Sequence, residues 1–104
     1  MKTAQEKIDS MHAGNREEII AGIHSETPIV VMNAVIAGVQ QGVRDEKYIE
    51  GLRQAAENEG TLLHIPIKDV AIAGLDVLGI EKYEGDDSRI KEYIAWGFKD
   101  SADS

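Results

Sequence analysis

The sequence predicts an all-α domain of about six helices, and three observations carry that prediction. Apolar residues recur at i, i+3, i+4 and i+7 along much of the chain, the spacing of one helix face. Helix-starting residues such as Asn15, Thr27-Pro28 and Asp45 alternate with glycines placed to stop helices, such as Gly14, Gly42 and Gly79. No strand alternation of any length is present.

The elements follow in order. Thr3 caps a first helix over Ala4–His12, which turns Ile8 and Met11 inward. Gly14 ends it and Asn15 caps the second, where Glu17 and Glu18 meet the positive end of the helix dipole. Ile19, Ile20 and Ile23 form the apolar stripe of that helix. Thr27-Pro28 opens the third, with proline at the first helical position, and it runs to about Gln41. This helix is apolar almost all round, a pattern that implies burial between neighbours.

Asp45 caps a fourth helix with Tyr48, Ile49, Leu52, Ala55 and Ala56 on its inner face. Asn58, Glu59 and Gly60 stop it, and Thr61–Ile65 reads equally as a helical turn or an extended loop. Pro66 disfavours a helical conformation at Ile65, so the fifth helix should begin at Pro66 and continue to Leu78. The stretch from Tyr83 to Asp87 is a turn. The last helix, from Ser88 to about Phe98, buries Ile90, Tyr93 and Ile94. One domain over 1–98 is expected, with a disordered polar tail over 99–104.

Composition narrows the function. The chain has 104 residues, 42% of them apolar, enough for one small core. Its net charge is −8, with 11 basic residues against 19 acidic ones. That balance argues against nucleic acid, whose phosphates need a basic face, and against anionic membrane surfaces. With no cysteine there is neither a disulfide framework nor thiol chemistry. The start of the chain runs into charged residues rather than an apolar leader segment, so the expected location is the cytoplasm. Thr27–Val43 carries no charge, but at 17 residues with Pro28 and Asn33 inside it falls short of a spanning helix.

An internal match sharpens the architecture. Asn33–Val39 aligns with Asp69–Leu75 at a spacing of 36 residues, with Ile36-Ala37-Gly38 identical to Ile72-Ala73-Gly74. Each copy follows a proline that opens its helix. A period in this range, carried by helix pairs, marks stacked helical hairpins. A glycine inside a helix costs about 1 kcal/mol against alanine, so its recurrence implies a packing reason.

On these residues the chain resembles the small, single-domain HEAT-like repeat proteins of microbes. Val30, Ala34 and Ala37 fit the second-helix pattern of such a repeat, as do Ile67, Ala71 and Gly74 with Leu75 following. Asp45 and Asp86 or Asp87 take the positions that cap the first helices of successive units. The resemblance implies a short right-handed α-α superhelix and a protein-binding role. Two features depart from the pattern. The basic residue after the first Val of the second helix is present as Lys68 but is Val31 in the other copy. The family register also sets Ala34 against Ala71, one residue off the alignment above.

Candidate chemistry is sparse. His12, His24 and His64 stand apart, with no second histidine or cysteine at metal-ligand spacing. His24 beside Ser25 and Glu26 is a poor triad, since sequence neighbours rarely meet in that geometry. A cation at a helix end is the better role for His12 and His24. Gly85-Asp86-Asp87-Ser88 lacks the oxygen spacing of a calcium loop and reads as a helix cap. No catalytic residue, metal or cofactor follows from these residues.

Binding candidates are clearer. Asn33 and Gln40 on the third helix, and Asp69 and Asp76 on the fifth, are each seven residues apart and so share a stripe. Side by side, the two stripes would form one polar ribbon suited to a partner. Trp96 sits beside the inward face of the last helix, where an aromatic can contact a partner, seal a homodimer or cap the core. The leading expectation is a non-catalytic module that binds another protein, with a basic partner drawn by charge. The alternative is a small-molecule or enzymatic site using Asp69 and Asp76 in an inter-helical groove. A mimic of nucleic acid is a third reading, weakened by the long uncharged middle of the chain.

Overall fold

Among the described residues six helices form in the order expected, and side-chain caps mark the starts of three of them. A computed structural model describes residues 3–99. The helices are α1 Ala4–His12, α2 Arg16–Ile23, α3 Pro28–Gln40, α4 Glu46–Ala55, α5 Ile67–Val77 and α6 Ser88–Trp96. Thr3 accepts a hydrogen bond from the Glu6 amide, Asn15 from that of Glu18, and Asp87 from those of Arg89 and Ile90. Each supplies a partner to an amide the helix itself leaves open. Asp45 precedes α4 without such a bond and pairs instead with Arg16 at 3.6 Å. Apart from Lys99, the tail expected over 99–104 lies outside the described residues.

Some boundaries differ from the sequence reading. Pro66 is the N-cap of α5 rather than its first residue. The ambiguous segment before it is a small hairpin, with strands β1 Thr61–Leu62 and β2 Ile65–Pro66 paired antiparallel. Two-residue strands are too short to show an alternation, so periodicity could not reveal them. The last helix stops at Trp96, because Gly97 takes φ +67 and turns the chain. Phe98, also at positive φ, then folds back and is 1% exposed. Ile90 is buried as expected, whereas Tyr93 and Ile94 are only half-buried.

The helices stack as two hairpins. α2 packs on α3 and α4 packs on α5, while α2 also lies against α4 and α3 against α5. α1 packs against both α2 and α3, and α6 covers α5. Contact from α1, α2, α4 and α5 accounts for the burial of α3, where eight residues from Val30 to Val39 are enclosed. Its uncharged composition follows from that position.

Small residues set the spacing. A Cβ at Gly22 would overlap Met11, one at Gly38 the Tyr48 ring, and one at Gly51 Ile23. At Gly74 an added Cβ would lie 2.9 Å from Val39 Cγ2. The two matched glycines of α3 and α5 therefore both have a packing reason, though with different partners. Tyr48 is fully enclosed, and its hydroxyl donates to the Ala34 and Val35 carbonyls, each at 3.1 Å. Burial raises its phenol well above its ordinary pKa of 10.0.

Candidate acidic groove

The exposed face of α4 is built by a simple repetition. Glu46, Glu50 and Arg53 recur at intervals of four and three on the side of the helix away from Tyr48, Leu52 and Ala55, and Glu57 follows in the turn just past its end. Opposite them, the chain leaving α5 is turned back by Gly79 at φ +75 and brings Glu81 alongside. The Arg53 Nε–Glu81 Oε1 pair, at 3.2 Å and about half exposed, links the two walls. An exposed pair of this kind adds about 0–1 kcal/mol, so its effect is to position Glu81 more than to stabilise.

Between these walls runs an open groove of about 590 Å³. Glu46, Glu50, Glu57 and Glu81 supply its carboxylates, Arg53 its one basic group, and Ile49, Ala56 and Leu75 its apolar surface. Four acids against one base give a negative rim around an apolar strip. The groove is open to solvent, and its carboxylates belong to exposed residues. Among the described residues, no group of three or more His, Cys, Asp or Glu is placed to hold a metal ion. No helix among them is long and apolar enough to cross a membrane.

The residues of the polar ribbon are placed as follows. Asn33 is half-buried and aimed at α1: its Oδ1 lies 3.0 Å from His12 Nε2, and its Nδ2 donates to the Ile29 carbonyl at 2.8 Å. Asp76 faces the loop after α5 and accepts from the Tyr83 amide at 2.8 Å. Asp69 is 7% exposed in the first turn of α5, and Gln40 is exposed at the end of α3. Asn33 and Asp76 thus hold neighbouring elements of their own chain, and Asp69 is nearly closed off. Trp96 is 40% exposed and stacks on Phe98, with ring centroids 4.8 Å apart.

Two of the three histidines likewise serve as ties. His12 meets Asn33, and His24 Nε2 lies 2.9 Å from the Lys47 carbonyl, joining α2 to the start of α4. The groove itself was partly readable in the sequence, since the dense charge from Arg44 to Glu59 falls on α4 and its two ends. Leu75 and Glu81 could be added only once the chain was folded. No family model, curated protein or solved structure matches the chain.

Proposed function

We propose that this domain is a non-catalytic protein-interaction module of the HEAT-like kind, and that the groove along α4 receives a basic segment of another protein. The observation that carries the reading is the pairing of an apolar strip with an acidic rim in an open groove. Apolar contact supplies affinity there, while Glu46, Glu50, Glu57 and Glu81 select Lys and Arg and speed encounter. The stacking of α2–α3 on α4–α5 supports the repeat reading. An open groove suits an extended or helical segment better than a small substrate, which needs enclosure on most sides. The acidic balance of the chain keeps nucleic acid and anionic lipid out of this role and fits a cytoplasmic module.

Affinity capture from native extract across a salt series tests the proposal. A protein retained at low salt and released as screening rises, with a basic segment protected on binding, is the expected result. Retention of nothing at low salt contradicts it, as does a partner held equally at all salt concentrations.

A further inference from the structure

The two helical hairpins differ in their connections. The link between α2 and α3 covers 24–27, whereas that between α4 and α5 covers 56–66 and carries the β1–β2 hairpin. The base of this hairpin is well anchored. The Asn58 side chain accepts from the Gly60 amide at 2.7 Å, and the Gly60 carbonyl accepts from the Ile67 amide at 3.1 Å. Leu62 packs against the core.

The tip is a different matter. Leu63 and His64 have φ of +53 and +69, the double left-handed pattern of a type I′ turn. Such turns favour Asn-Gly, and a leucine there is opposed by the clash of its Cβ. Leu63 is also 84% exposed, the highest among the exposed large apolar residues described, with Ile65 beside it at 38%. Its side chain therefore helps neither the turn nor the core. Local conformation opposes leucine at this position and burial offers nothing to offset it, so an explanation within the fold is lacking.

We infer that Leu63 is a preformed apolar knob, held out by the anchored hairpin, that seats in an apolar socket of a partner protein. The knob is convex, and its complement is a concave pocket, the shape in which proteins bury single apolar side chains. The connection carries Glu57 and Glu59 and no Lys or Arg, so the rim of the socket is basic and anionic lipid is repelled. A rigid hairpin also lowers the ordering cost of binding. This inference rests on the protein-binding reading above and adds a second contact to the groove.

The test replaces the tip with the residues its backbone favours. Leu63→Asn with His64→Gly should raise the melting temperature by about 4 °C or more. The same variant should weaken binding of the protein captured by the wild-type chain about tenfold or more. Leu63→Met should retain binding, and a benzophenone side chain at position 63 should crosslink to that protein while one at position 7 does not. A lower melting temperature would make Leu63 a residue of the fold and overturn the inference. Unchanged affinity in the more stable variant would overturn it while leaving the groove reading intact. Capture of nothing by the wild type would remove both. Tip-dependent self-association, or tip-dependent binding to phosphatidylcholine or phosphatidylserine vesicles, would contradict a socket on a different protein.

Discussion

The ring of Tyr48 occupies the space that a side chain at Gly38 would need, and this contact locks α4 against α3. Gly38→Ala gains about 1 kcal/mol in helix propensity. The clash with an enclosed, hydrogen-bonded ring outweighs that gain, for a net loss of about 2 kcal/mol. Urea denaturation of the variant checks it, read as a lower midpoint with unchanged slope.

Tyr48 also makes the fold sensitive to alkali. The unfolded chain releases the phenol proton near its ordinary pKa of 10.0, whereas burial holds the proton in the folded state to higher pH. Below pH 10 both states keep the proton and stability is flat in this group; above it the folded state binds more protons, and stability falls as pH rises. Tyr48→Phe removes this contribution at a cost of about 1 kcal/mol near neutrality. Denaturation midpoints from neutral pH to about pH 12 should therefore fall more steeply for wild type than for Tyr48→Phe.

At the C-terminal end of the fold, Phe98 closes the core and Trp96 stacks on it from outside. Phe98→Ala should cost about 3 kcal/mol, and the fluorescence of the single tryptophan should shift to the red as its stacking partner is lost. Trp96→Ala should cost less, about 1 kcal/mol, because much of that ring is already in water.

The two ends of the α3 stripe should behave differently. Asn33 bonds to His12 and to the Ile29 carbonyl, so Asn33→Ala should lower stability by about 1 kcal/mol. Gln40 is exposed, and Gln40→Ala should change stability by less than about 0.5 kcal/mol. Thermal melts of the two variants side by side make the comparison.

Helix order, the caps at Thr3 and Asn15, and the buried α3 were legible because they depend on local chemistry and composition, while the choice of Asp87 over Asp86 as the last cap was not. The hairpin was not, since strands of two residues show no period and a Leu-His turn carries none of the residues that signal one. The α4 face was half legible: helical spacing places Glu46, Glu50 and Arg53 together, but Glu57 lies in the turn past the helix end, and only the turn at Gly79 brings Glu81 across to them. Asn33 and Asp76 were read by stripe alone. Their partners, His12 and the Tyr83 amide, come from elements whose approach no spacing rule predicts.

Charge reversal in the groove separates binding through its carboxylates from binding anywhere else on the domain. Glu50 and Glu57 are exposed, and Glu50→Lys with Glu57→Lys should leave the helical circular dichroism and the melting temperature nearly unchanged. Affinity for the partner captured by the wild-type chain, measured at low salt on both proteins, should fall about tenfold or more, and most of the salt dependence should vanish with it. An equal affinity of the folded variant and the wild type for that partner would exclude the groove as the binding surface.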